Sequence, residues 1–332
     1  MTSIYLSIIC LIFCSTDSLQ ANLETANSSD QYKNPVINRS LPDPTVIKAA
    51  DGHFYLYATE DIRHTPIYRS NNLIDWEFLG TAFTRETRPN FEPKGGLWAP
   101  DINYINDRYV LYYSMSVWGG EWTCGIGAAT AEKPEGPFTD QGKLFRSNEI
   151  DVKNSIDPFY IEEDGKKYLF WGSFRGIYWI ELSDDGLKIK AGAEKKHIAG
   201  TAFEGVYIHQ KGDFYYLFAS VGSCCEGLNS TYRLVVGRSA SLFGPYVDPT
   251  GKDMMNNGYK TILNKNEHFV GAGHCSEIVQ DDAGNDWIFY HAVSVDNPKG
   301  RVLMLDQIHW DADQWPYIKD GSPSLSAPKP IF

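Results

Sequence analysis

Five copies of one pattern predict an all-β chain folded as a five-bladed β-propeller. Each copy is a short apolar strand opened by an acidic or polar residue, then a turn, then an aromatic strand. The copies are Leu-Pro-Asp-Pro-Thr-Val-Ile ending at Ile47, Trp-Ala-Pro-Asp-Ile at 98–102, Ser-Ile-Asp-Pro-Phe-Tyr-Ile at 155–161, Ala-Phe-Glu-Gly-Val-Tyr-Ile at 202–208 and Gly-His-Cys-Ser-Glu-Ile-Val at 273–279. The turns are Asp51-Gly52, Asn106-Asp107, Asp164-Gly165, Lys211-Gly212 and Gly284-Asn285. The aromatic strands are expected at Phe54–Tyr57, Tyr109–Tyr113, Tyr168–Trp171, Phe214–Phe218 and Trp287–Tyr290. A turn dipeptide between two apolar runs signals a hairpin. Repeats of roughly 40–60 residues with several short strands each signal blades stacked around an axis.

The repeat also points to a site. Asp43, Asp101, Asp157, Glu204 and His274 stand just before or within the first strand of successive copies. Innermost strands line a propeller's central channel, so these positions are expected to converge. Carboxylates that share a pocket repel one another, and burial splits their pKa values.

Bulk properties narrow the function. The 332 residues are 42% hydrophobic and 14% aromatic, enough for one large folded domain and far from a disordered composition. A formal net charge of −12 argues against a nucleic-acid partner, which needs clustered Lys and Arg. Residues 4–14 form an apolar run too short to span a bilayer and placed like the core of a signal peptide. Residues 1–20 are therefore expected to be a signal peptide or lipoprotein leader, 21–33 an exposed arm, and 34–332 the propeller. Export follows, as a periplasmic, secreted or outer-surface protein, with membrane contact only through a lipid on Cys14 if it carries one. A monomer is expected. Beyond Cys10 and Cys14 in the leader, the cysteines are Cys124, Cys224, Cys225 and Cys275, whose spacing matches no zinc site. Cys224 and Cys225 are left either to bridge each other or to pair elsewhere.

Two carboxyls across a wet pocket suffice for glycosidic hydrolysis, one protonated to help the leaving oxygen depart and one ionised to activate water. A third carboxylate raises the acid's pKa by repulsion. Asp43, Asp157 and Glu204 supply such a trio.

These residues and their surroundings resemble glycoside hydrolase family 43 over roughly residues 34 to 325. The motifs are Asn-Pro-Val through Pro-Asp-Pro at 34–44, Trp-Ala-Pro-Asp at 98–101, Ser-Ile-Asp-Pro at 155–158, Phe-Glu-Gly at 203–205 and Gly-His-Cys-Ser-Glu at 273–277. The resemblance implies Asp43 as general base, Asp157 as pKa modulator and orienter, Glu204 as general acid, and inversion by a single displacement. Arabinan-degrading members look most similar, through the run from Cys224 to Tyr232, Val236 to Ser239, Phe243 to Tyr246, Gly273-His274 and Ile308 through Tyr317. Such members imply a calcium held with waters by a histidine like His274, although calcium prefers oxygen ligands.

The expected substrate is thus the α-1,5-linked arabinan of pectin side chains, cleaved internally. The last repeat leaves little chain beyond it for a second domain to wall off the groove. The alternatives are an exo-acting α-L-arabinofuranosidase or β-xylosidase on the same fold, and a sugar-binding propeller without catalysis. Trp98 and Phe174 are candidate sugar platforms, Asp101 is expected to be a hydrogen-bonding support, and Arg301 to form a surface ion pair. Two departures from the family stand out: Val206 where many relatives carry proline, and Arg175 where arabinan-active relatives carry a second aromatic residue.

Overall fold

In the computed structural model, residues 30–59 and 64–332 are described. The expected leader, Cys10, Cys14 and most of the arm lie outside them.

Three units are separate four-stranded antiparallel sheets, each a simple meander. The first runs through Thr45–Lys48, Phe54–Tyr57, Pro66–Ser70 and Glu77–Thr81. The second comprises Gly96–Ile105, Arg108–Ser116, Gly125–Ala131 and Thr139–Arg146. The third comprises Phe159–Glu163, Lys166–Trp171, Ile177–Glu181 and Lys196–Ala199. All five aromatic runs named from the sequence lie in second strands or their equivalents, including Phe214–Val221 and Asp286–Ser294. These strands are almost wholly buried because sheets pack on both their faces, which is why they read as continuous apolar runs. Outermost strands such as Thr139–Arg146 alternate between exposed and half-buried residues along most of their length, as edge strands beside solvent do.

The turns follow their chemistry. Asn106-Asp107 and Asp164-Gly165 have positive φ at both positions and close two-residue hairpins, the geometry that Asn, Asp and Gly favour.

The last two expected units are joined in one ten-stranded sheet. Its path runs through Glu204–Lys211, Phe214–Val221, Arg233–Ser239, Phe269–Gly273, Asp286–Ser294, Val302–Trp310 and Ile37–Ser40. The junction in its middle is a single parallel residue pair, Arg233 with Ala272. Ile37–Ser40 thus completes the last sheet from the start of the chain instead of leading into the first. The arm expected at 21–33 also ends differently. Gln31–Lys33 is a strand paired with Ser326–Pro328, and Tyr32 is buried with its hydroxyl on the Leu305 carbonyl.

First strands of successive sheets lie side by side and are stitched together. Ile102 N donates to Thr45 Oγ1 (3.1 Å), Tyr160 N to Asp101 Oδ2 (2.8 Å), and Ile278 N to the Tyr207 hydroxyl (2.9 Å). Thr45 Oγ1 and Val46 N both donate to Glu277, at 2.8 and 2.7 Å. Phe159 meets Tyr207 edge-on at 5.3 Å. The chain of contacts returns to its starting strand.

Candidate active site

Five residues at the heads of the first strands have left-handed backbone: Asp43 (φ 57°), Ala99 (40°), Asp157 (61°), Gly205 (61°) and His274 (50°). Such a conformation is uncommon for residues other than glycine and persists where the surroundings over-determine it. Here the surroundings capture each backbone N–H. Asp43 N donates to His291 Nδ1 (3.3 Å), Ala99 N to Thr59 Oγ1 (2.6 Å), Asp157 N to Ser114 Oγ (2.8 Å) and His274 N to Ser220 Oγ (2.8 Å). The acceptor stands in the second half of, or just past, a neighbouring second strand. At the fourth step the pattern changes. Gly205 N turns to Asp157 Oδ2 (3.3 Å), and Ser173 Oγ, which would have been its acceptor, donates to Glu204 Oε2 at 2.6 Å. A Cβ on Gly205 would stand only 3.0 Å from His274 Nδ1, so glycine is needed there for space as well as for φ.

This geometry corrects the register read from the sequence. The residue equivalent to Asp43 and Asp157 in the second sheet is Ala99, not Asp101. A bulge between Trp98 and Asp101 shifts the strand, and Asp101 points away from the cleft. It accepts from Tyr160 N and Asn103 Nδ2 (2.8 Å each), which is the supporting role expected of it.

Asp43, Asp157 and Glu204 do line one cleft of about 270 Å³, with Trp98, Phe174 and His274 around them. Trp98 packs against Trp118, whose ring is 76% exposed at the rim (centroids 5.6 Å). Arg301 lines the same cleft and corrects the second expectation. It is not a surface ion pair: Nη1 lies 3.0 Å from Asp43 Oδ1, and the Arg301 side chain is largely buried. Cys224 and Cys225 are bonded to each other and also face the cleft, while Cys124 and Cys275 are buried thiols.

The three carboxyls are shifted in different directions. Burial is the largest single influence and would raise Asp43, but its charged and polar neighbours, led by the Arg301 guanidinium, together outweigh it. Asp43 is held well below the usual carboxylate range. Asp157 is raised well above that range by burial, then by Glu204 and Asp43. Glu204 is also raised by burial, with its hydrogen bond from Ser173 pulling back and Asp43 pushing further up. Burial and the Arg301 charge push His291 down to about 4, so it is neutral at neutral pH.

Several partners in this arrangement were not singled out from the sequence. Thr59, Ser114, Ser173, Ser220 and His291 form a second repeated series, one polar residue closing each aromatic run. Aligning the ends of those runs as well as their beginnings would have found them. Arg301 had no such signal.

Among the described residues no group of three or more His, Cys, Asp or Glu side chains is arranged to hold a metal ion. His274 offers one imidazole, and its Nδ1 already faces Asp43. A hard cation that takes six to eight oxygens would fit there only with most of its shell supplied by water.

An all-β ring that brings one carboxyl held low and two raised ones to a single cleft offers the equipment of a glycoside hydrolase. The family model of glycosyl hydrolases family 43 matches residues 32–316, and the chain belongs to that family. An extracellular exo-α-(1→5)-L-arabinofuranosidase of Cellvibrio japonicus is 34% identical over 306 residues, covering 84% of this chain and 86% of the relative. An extracellular endo-α-(1→5)-L-arabinanase of Bacillus subtilis is 32% identical over 292 residues, covering 84% and 88%. Among solved structures, the Cellvibrio cellulosa α-L-arabinanase complexed with arabinohexaose superposes with a TM-score of 0.77 at 32% identity, covering 85% of this chain and 96% of that one.

Proposed function

We propose that this protein hydrolyses the α-1,5-L-arabinofuranosidic bonds of arabinan within the chain, by inversion, on a five-bladed propeller. One observation carries the chemistry: in a single cleft, Arg301 lies 3.0 Å from Asp43 and holds its carboxyl low, while burial raises Asp157 and Glu204. Asp43 takes a proton from water as that water attacks the anomeric carbon. Glu204 gives its proton to the departing glycosidic oxygen on the other face. Asp157, coupled to Glu204 and bonded to Gly205 N, holds the acid's backbone in place and opposes its early ionisation. Ser173 orients the Glu204 carboxyl, and Arg301 is a positioning residue for Asp43. Such an inversion needs about 6.5–9.5 Å between base and acid to admit the water.

Five blades are inferred by dividing the ten-stranded sheet at its one-residue junction. The five left-handed steps then follow one another around the axis. His291, from the last unit, catches Asp43 of the first and closes the circle. Internal cleavage is supported by the endo-acting name of the Bacillus relative and by the Trp98, Trp118 and Phe174 rings spread along the cleft. The exo reading also has support, from the name of the Cellvibrio relative and from an ion pair of Arg175 with Glu121 at the cleft rim.

Sizing the products released over time from linear arabinan, branched arabinan and xylan decides among these readings. A ladder of arabino-oligosaccharides is expected; immediate arabinose would make the enzyme exo-acting, and xylose a xylosidase. On the resemblance alone, we also propose a largely hydrated calcium against His274. No step above depends on it, and one calcium per chain by elemental analysis is the expected result. Export is proposed from the leader and the extracellular relatives, with a shortened N-terminus in the mature protein as its check.

A further inference from the structure

Part of the cleft wall is made of sulfur. Cys224 and Cys225 are joined in a disulfide, and both face the space that holds Asp43, Asp157 and Glu204. Topology puts them on the acid's side. Glu204 pairs with Ser220 across a hairpin, Val221 ends that strand, and Cys224 follows three residues later. Asp43 precedes Thr45–Lys48 of a separate sheet, and Arg301 precedes Val302–Trp310, several strands away in the ten-stranded sheet. Cys224 is half-buried and Cys225 exposed.

A staple does not explain this bond. Disulfides stabilise mainly by closing loops in the unfolded chain, and the effect shrinks with loop length. A bridge between adjacent residues closes almost none. The segment is also anchored without it: Ser230 Oγ donates to Ser223 O (2.6 Å) and Ser223 N to Thr231 Oγ1 (3.1 Å). What the bond changes is the surface. Two thiols would be mobile, ionisable groups, whereas the closed pair is a fixed, apolar, polarisable patch without a hydrogen to donate. It shares the cleft with Trp98 and Phe174, surfaces of the kind that suit the C–H face of a sugar ring.

We propose that the Cys224–Cys225 disulfide is a substrate-contacting wall of the subsite that holds the leaving-group side of the sugar chain, packing its sulfurs on a furanose face. The assignment rests on Glu204 as the acid of the proposed reaction, because the acid stands beside the departing sugar.

The test compares untreated protein, protein reduced with tris(2-carboxyethyl)phosphine, and the Cys224→Ala/Cys225→Ala double variant on linear arabino-oligosaccharides. Intact mass confirms the state of the bond. Reduced protein and the double variant are expected to show KM about threefold to tenfold higher, with kcat within about twofold, the signature of lost uniform binding by a soft-sulfur contact. The reductant should change nothing further in the double variant. Unchanged KM in both, or a change confined to the melting temperature, overturns the proposal. Untreated protein that cleaves no arabino-oligosaccharide overturns the reaction and the subsite together. An active enzyme indifferent to the bond overturns the subsite alone.

Discussion

Two groups of buried carboxyls sit on the same ring of strands, one in the cleft and one just beyond it. In the cleft, Asp43, Asp157 and Glu204 surround a cation, Arg301. Beyond the bulge in the second sheet, Asp101 and Glu277 face each other with only neutral donors around them: Thr45, Val46, Asn103 and Tyr160 N. The consequences differ. Asp101 is raised well above its ordinary range by burial and then by Glu277, and Glu277 is raised by burial as well. That pair is shifted toward its neutral form and links sheets. In the cleft, the guanidinium beside Asp43 separates it from its neighbours, holding that carboxyl low while Asp157 and Glu204 are raised. Burial by itself makes neutral acids; a single cation placed against one carboxyl is what turns a buried cluster into acid–base machinery.

The largest expected effect tests that division directly. Glu204→Gln and Asp43→Asn should each lower kcat by about 10²–10⁴-fold, the range of general acid–base catalysis. Asp101→Asn should leave kcat within about threefold, since it removes no group from the cleft. Comparable losses in all three variants would erase the distinction.

Next comes Arg301→Met. Without the guanidinium Asp43 titrates higher, so the acid limb of kcat/KM moves to higher pH, because the base must be ionised to work. The cation also lowers Glu204, so the alkaline limb, where the acid loses its proton, moves up as well. A pH–rate profile showing both limbs shifted in that direction, with about 10–100-fold lower kcat/KM at neutral pH, is expected. Limbs that stay in place would remove Arg301 from the assignment.

The buried pair should speak through stability instead. Its folded pKa values lie above the unfolded ones, so the native state binds more protons. Its stability contribution is present below the ordinary carboxyl range and is lost as pH rises through the raised values. Melting curves from about pH 5 to 9 should decline for the unaltered protein and decline less steeply for Asp101→Asn, each pKa unit of separation being worth about 1.4 kcal/mol. A steeper decline in the variant would contradict the raised pair. The smallest effect belongs to the exposed rim pair: Arg175→Ala should cost less than about 1 kcal/mol in denaturant unfolding.

Much of this site was legible because the chain repeats itself. The Asp-Pro pairs at Asp43 and Asp157 and the aromatic runs after each turn are local signals, and local signals survive translation into strands and hairpins. Asp101 was misaligned because a bulge inserts residues that no pattern of side chains announces. Arg301 was misjudged for a different reason. Its partner is 258 positions away, and only closure of the ring makes them neighbours. Ile37–Ser40 shows the same limit, since a strand near the start of the chain gives no sign that it will pair with Val302–Trp310.

The order of residues alone determined the unit: apolar strand, turn, aromatic strand, and the acid that opens several of the copies. Those features depend on side-chain period and turn chemistry over a few residues. Tertiary structure decided which acid is charged, since that depends on what burial strips away and on which cation remains within about 3 Å. Electrostatic energy is set by distance through space, and the linear chain does not encode it until the ends of the sheet have met.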